Sequence, residues 1–319
     1  MTKNKIAIGI DLGGTSLKIG IVNSEGKILK KNSIESNAVK GPEAVIRQIK
    51  NGTHQIIEHT NLKNCGIGIG APGTVSLKNG TVENPPNFPG WHKVPLGEIL
   101  TKEFKCNVFV ENDANAAAIG EMIYGAGKKT NNFIMITLGT GVGGGIIIDR
   151  EIYRGESGGA GELGHVTIDS MGRQCNCGSI GCIEAYIGNN YLIERVKDQI
   201  IKRKDSKLYE LIKENFNLLT PKLIHIAAED GDDLSQSVII DTGTKLGYAL
   251  TSVVNILDIT TIIIGGGVAG FGKLLFDSVE SALKDRVMKP FRNRIKVLPA
   301  KLKNDAGIKG ASALVSYKS

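Results

Sequence analysis

The sequence predicts an α/β protein of two lobes that share a duplicated plan, and three observations carry that expectation. At 319 residues the chain exceeds one ordinary small domain. β-rich runs alternate along it with segments of helical spacing. A bend containing glycine and threonine joins two β-rich runs twice, as "DLGGT" at 11–15 and again as "LGTG" at 138–141, which marks an internal repeat.

The elements follow in order. "IAIGID", "SLKIGIVN" and "ILKK", separated by "LGGT" and "SEGK", read as a three-stranded meander, and residues 42–59 have apolar spacing suited to a helix. A buried strand, "CGIGIG", leads into a proline-rich loop from Ala71 to Trp91, and "NVFV" is the next strand. The alanine-rich "ENDANAAAIGEMIYGAG" favours helix. The pattern then repeats with "FIMITLGT", "GGGIIID" and a short "IYRG". Residues 186–257 read as mainly helical. "TTIIIGGGVAG" gives a strand, a glycine turn and a helix; "RIKVLPA" gives a strand and "NDAGIKGASALVSYK" a closing helix. The expected small lobe is 1–115, with the closing helix at 304–319 packing back on it. The larger lobe, 116–303, carries the cysteine cluster and further glycine turns, and the two meet at a central cleft.

Composition narrows the function classes. With 41% hydrophobic and 22% charged residues the chain is globular, and 41 glycines imply many tight turns or close backbone approaches to a ligand. The formal charge of +7 is dispersed, and the basic run at 284–304 reads as a solvated surface, so no nucleic-acid partner is expected. No apolar run approaches the ~20 residues a membrane span needs, and the β pattern begins by about residue 5, where a signal peptide would stand. Five cysteines, an odd number with Cys65 and Cys106 isolated, argue against a disulfide framework and for the reducing cytoplasm.

Three of those cysteines fall within one short segment. His165, Cys175, Cys177 and Cys182 offer one imidazole and three thiolates, the Cys3His set of a closed tetrahedral zinc site, while Gly178 and Gly181 let the loop fold round an ion. The competing reading is three buried free thiols. Four protein ligands leave no open position, so a zinc ion here is structural. Glu162 lies three residues before one ligand and Glu184 two residues after another, where a metal staple would hold both carboxylates for vicinal hydroxyls. On this basis loss of a ligand such as Cys177 should release the metal and misplace both carboxylates.

Asp11, Gly13, Gly14 and Thr15 stand at the first bend, where backbone N–H groups can face phosphate oxygens and a carboxylate can hold a hydrated Mg2+. A plain hairpin turn explains the same residues. "GTGVGG" and "GIGAPG" match the dinucleotide fingerprint but lack its strand-turn-helix setting, and "GAGKKT" fails as a P-loop. Asp113 has two readings, an N-cap for the alanine-rich helix or a general base that takes a hydroxyl proton during phosphoryl transfer, with Asn112 beside it able to donate and accept.

"DLGGT", "GAPG", "NFPGW", "ENDANAAAIGE", "LGTGVGGG", "GELGH", "CNCGSIGCIE" and "IIIGGGVAG" occur in the order seen in the ROK family of repressors and sugar kinases. Over essentially its whole length the chain resembles the bacterial ATP-dependent glucokinases of that family. The resemblance implies an actin-like, hexokinase-type fold of two α/β lobes and a hexose and ATP as substrates, with Mg2+ accompanying the ATP. By that resemblance Asp113 is the catalytic base, and Gly73, Asn87, Asn112, Asp113, Glu162, His165 and Glu184 are the sugar positions. Gly13, Gly14, Thr15, Thr140 and Gly141 are the phosphate loops, joined by Asp11, with Gly266 and Gly267 at the adenosine turn. His165 then has two tasks, one ring nitrogen on zinc and the other on a sugar hydroxyl.

The implied reaction is transfer of the γ-phosphoryl group to a hexose 6-hydroxyl, glucose first, with N-acetylmannosamine, N-acetylglucosamine or fructose as alternatives and a non-catalytic sugar sensor as the rival class. The resemblance implies a homodimer or homotetramer. The family's repressors begin with an added DNA-binding winged-helix domain; with a strand starting almost at Met1, none is expected here.

Overall fold

Strands β1 (Ile6–Leu12), β2 (Ser16–Asn23) and β3 (Ile28–Glu35) form an antiparallel meander, because two short turns return the chain on itself. The computed structural model describes residues 6–58, 65–76 and 78–318. Helix α1 (Pro42–Ile57) follows, with Pro42 at its first position, where the missing N–H costs nothing. Residue 59, the end of the helix expected from the sequence, lies outside the described residues. Strand β4 (Gly66–Ala71) then pairs parallel to β1. The stretch expected to be a proline-rich loop instead holds β5 (Thr74–Ser76) and β6 (Thr81–Glu83), which join β7 (Lys93–Val94) in a small antiparallel sheet. Helix α2 (Leu96–Phe104), strand β8 (Val108–Asn112) and helix α3 (Asp113–Tyr124) complete this part of the chain.

The second part opens with β9 (Phe133–Leu138), β10 (Val142–Ile148) and β11 (Glu151–Ile152). A loop region follows with the cysteine cluster, and then helices α4 (Glu184–Ile187), α5 (Asn189–Ile200), α6 (Lys207–Ile212), α7 (Pro221–Glu229) and α8 (Asp233–Leu257). Strand β12 (Thr261–Gly265), helices α9 (Lys273–Arg286) and α10 (Lys289–Arg292), strand β13 (Lys296–Pro299) and helix α11 (Ala306–Tyr317) end the chain.

The two large sheets share one topology. Their strand orders are β3-β2-β1-β4-β8 and β11-β10-β9-β12-β13. In each, a meander supplies the first strands and parallel strands reached through helices extend the sheet, so the repeated Gly-Thr bends are equivalent first turns of two copies. The fold is of the actin-like two-domain class.

The chain divides into two compact units, 1–131 with 145–161 and 301–319, and 132–144 with 162–300. The boundary expected at 115/116 falls inside α3, which remains whole in the first unit because its hydrogen-bonded turns are continuous.

Alternation along β1 and β4 explains the first unit's layers. Ile8, Ile10, Ile67 and Ile69 are fully buried in one cluster with Val45 and Ile49 of α1. On the opposite face the sheet is lined by glycine, and a Cβ at Gly9 or Gly68 would overlap the carbonyls of Ile308 and Ala311. Helix α11 therefore lies directly on the sheet backbone, an approach only glycine allows.

Candidate active site

In the first unit the site is built round the start of α3. Asn112 ends β8 and is the N-cap of the helix, its Oδ1 accepting the N–H groups of Ala114 at 3.0 Å and Asn115 at 3.1 Å. The cap reading of Asp113 is thereby corrected: a cap must be non-helical, and Asp113 is already the first helical residue. Its Oδ1 accepts the Ala114 N–H at 2.8 Å, which holds the carboxylate at the positive end of the helix. Asn112 Nδ2 donates to the Gly73 carbonyl at 3.1 Å. Gly73 has φ +82 and is closely backed by Pro85, and Asn87 also has positive φ, so the loop that carries both is tightly wound.

Sequence reasoning missed the support beneath this corner. Glu111, only 2% exposed, gives one carboxylate oxygen to the Asn112 N–H at 3.2 Å and to Asn115 Nδ2 at 3.4 Å. The other oxygen accepts from Arg154 Nε at 3.0 Å and Nη2 at 2.8 Å, with Lys318 Nζ 3.6 Å away. Burial pushes the Lys318 ammonium below its ordinary range, against the pull of Glu111. No local pattern signals a trio drawn from three distant parts of the chain.

The bend after β1 is closed by the Gly13 N–H donating to the Ser16 carbonyl at 3.0 Å. Buried Ser36 anchors it, donating its hydroxyl to the Gly14 carbonyl at 2.7 Å and its N–H to the Thr15 carbonyl at 3.1 Å. Asn87 is the neighbour Gly14 would meet if it carried a Cβ, which brings an expected sugar residue beside an expected phosphate turn. Asp11 is 3.5 Å from Lys18, and burial raises its carboxyl above the usual range despite that cation.

The second unit carries the other candidates. Its Gly-Thr bend is closed by the Gly139 N–H donating to the Gly141 carbonyl at 2.9 Å. Val142 N–H donates to Glu184 Oε2 at 2.8 Å, and Asn189 N–H donates to the Gly139 carbonyl at 3.0 Å. Gly266 has φ +91 and would overlap the Leu138 backbone if it bore a Cβ, whereas Gly267 faces open space. That turn is thus pressed against the end of β9.

The four ligand atoms of His165, Cys175, Cys177 and Cys182 lie within 4.8 Å of one another. Cys177 Sγ and Cys182 Sγ are 3.7 Å apart, and Cys175 Sγ is 3.8 Å from His165 Nδ1. A tetrahedron with metal–sulfur bonds of ~2.3 Å has edges of about 3.8 Å, so the donor set and its spacing fit a zinc ion. Burial pushes the Cys175 thiol up to about 12 and raises Cys182, while a backbone hydrogen bond from Ser179 lowers Cys177. Gly178 and Gly181 both have positive φ, as the tight loop requires. His165 turns its Nε2 away from the thiols toward Glu162 Oε2, 3.9 Å distant. Glu162 is largely exposed, and Glu184 Oε1 is 3.8 Å from Cys175 Sγ.

Comparison with known proteins identifies the lineage. The family model described as "ROK family" matches residues 7–318. The chain belongs to the ROK family. A glucokinase of Thermotoga maritima is 36% identical to this ROK chain over 100% of it and 99% of the relative. A xylose repressor of Caldicellulosiruptor bescii is 32% identical over 97% of this chain and 77% of its own length. Among solved ROK structures, a glucokinase from Streptomyces griseus in complex with glucose and AMPPNP superposes with a TM-score of 0.84 at 33% identity, covering 97% of this chain and 98% of that one. Among the described residues no helix is long and apolar enough to cross a membrane.

Proposed function

We propose that the protein is an ATP-dependent hexose kinase that phosphorylates the 6-hydroxyl of glucose. The observation that carries this reading is the start of α3, where Asn112 caps the helix and is tied to the Gly73 loop while Asp113 offers its carboxylate at the helix N-terminus. A repressor needs only to sense its sugar; a base held by a backbone N–H, next to an Asn112 that buried Glu111 supports, suits transfer chemistry.

In this reading the sugar hydroxyls are recognised by two sets of groups, each described within its own unit: Gly73, Asn87, Asn112 and Asp113 in the first, Glu162, His165 and Glu184 in the second. His165 Nε2 and Glu162 are spaced so that one hydroxyl fits both, donating to one and accepting from the other. Asp113 accepts the proton of the attacking hydroxyl. In a loose transition state that transfer is late, so orientation of the hydroxyl by Asn112 and Asp113 matters as much as basicity. The backbone of Gly13–Thr15 and of Thr140–Gly141 faces the phosphates, Gly266 and Gly267 the adenosine, and Asp11 is the carboxylate suited to hold Mg2+. When bound, that ion neutralises charge on the transferring phosphoryl group. His165, Cys175, Cys177 and Cys182 would hold zinc, which supplies rigidity alone. Five free cysteines suit a cytoplasmic enzyme.

The relatives include glucokinases and repressors, so a coupled assay of ATP turnover with glucose, mannose, fructose, N-acetylglucosamine and N-acetylmannosamine decides the reading. Glucose should give the highest kcat/KM. No turnover with any hexose overturns the kinase assignment, and a preference for another sugar overturns glucose alone.

A further inference from the structure

We propose that Glu184, beyond its sugar-facing role, is the positioning residue of the Gly139–Gly141 turn, so that one carboxylate serves both the hexose and the nucleotide groups of the second unit. The inference rests on the kinase reading for its functional consequence, but its structural half stands by itself. The turn between β9 and β10 is tied at both ends to the short segment 184–189. At one end Val142 N–H donates to Glu184 Oε2 at 2.8 Å; at the other Asn189 N–H donates to the Gly139 carbonyl at 3.0 Å. Gly139 and Gly141 are joined to each other by a 2.9 Å backbone bond.

The fit leaves no slack. A Cβ at Gly141 would overlap the Glu184 carboxylate, and one at Gly188 would stand 2.9 Å from the Glu184 carbonyl and 3.3 Å from that of Thr140. Val142 is 4% exposed, so its N–H depends on Glu184 and not on bulk water, and an orphaned buried N–H is costly. Glu184 opens α4, a helix of only four residues, and the chain leaves helical geometry again at Gly188. The carboxylate therefore replaces the rigidity that a longer helix would give. Of its two oxygens, Oε2 holds the turn, which leaves Oε1, 3.8 Å from Cys175 Sγ, as the oxygen for a sugar hydroxyl. Hexose and nucleotide then bind with positive coupling, since each fixes the same side chain.

Titration calorimetry with ADP on sugar-free protein tests the proposal. Glu184→Ala should weaken ADP binding about tenfold, the scale of losing one charge-assisted hydrogen bond. Glu184→Gln, whose amide oxygen still accepts the Val142 N–H, should stay within about twofold for ADP while both variants bind glucose more weakly. Hydrogen exchange at the Val142 amide reads the same tie without any ligand, and it should accelerate in Glu184→Ala and not in Glu184→Gln. Wild-type ADP affinity in Glu184→Ala, or unchanged Val142 exchange, overturns the proposal. If the wild-type protein binds no ADP, the kinase reading fails, and the exchange measurement still decides whether Glu184 holds the turn.

Discussion

Asn112 joins the first turn of α3 to the Gly73 carbonyl, its Nδ2 donating there at 3.1 Å while its Oδ1 caps the helix. One amide therefore sets both the height of Asp113 and the path of the loop that leads to Asn87. Asn112→Ala should lower stability by about 1 kcal/mol through the lost cap and reduce kcat as Asp113 drifts. Asn112→Asp keeps the acceptor but loses the donor, so its denaturation midpoint should stay near wild type while the hexose KM rises. Denaturant unfolding set beside steady-state kinetics separates the two losses.

Asp113→Asn retains the side chain's shape and a hydrogen-bond acceptor for Ala114 but cannot take a proton. Turnover should fall by about a thousandfold, within the usual range for a general base, with glucose affinity nearly unchanged. A variant retaining more than a tenth of wild-type turnover would remove Asp113 from the chemistry.

Much of this molecule is readable from local pattern. The Ile/Gly alternation of β1 and β4, the repeated Gly-Thr bends and the Cys-x-Cys spacing each reflect a constraint acting over a few residues. Among the elements that escaped, β5 and β6 have three residues each inside a stretch whose prolines read as loop, β7 has two residues just beyond it, and the nine-residue helix α2 follows where the sequence reads straight on to the next strand. The two readings of Asp113 stay open in the sequence because Asn and Asp are equally good caps, and only backbone geometry gives the cap to Asn112. Glu111, Arg154 and Lys318 escaped because a buried charge network is a property of tertiary closure.

Asp11 links stability to pH with a definite sign. Burial raises its carboxyl above the unfolded value, so the folded state favours the protonated form. Its stabilising contribution is complete below the unfolded pKa and is lost as pH rises through the folded one. Asp11→Asn, neutral at every pH, should therefore gain thermal stability relative to wild type as pH rises through the acid range, and hold that gain at neutral pH. Thermal midpoints across that range check the sign. The same variant should need far more Mg2+ for turnover if Asp11 holds the ion.

The thiol cluster reaches further than the sequence implies. Reasoning from Glu162 and Glu184 as sugar ligands alone, loss of Cys177 should weaken hexose binding more than nucleotide binding. Glu184, however, also accepts the Val142 N–H, and it follows Cys182 by two residues in the segment that carries Asn189. Loosening the thiol cluster frees that segment, and the Gly139–Gly141 turn loses both of its ties at once. Cys177→Ser should then bind ADP and glucose more weakly by comparable factors, and metal analysis should find about one zinc per chain in wild type and less in the variant. A hexose-only defect would show that the turn holds its shape without Glu184; wild-type protein purified without zinc would refute the staple itself.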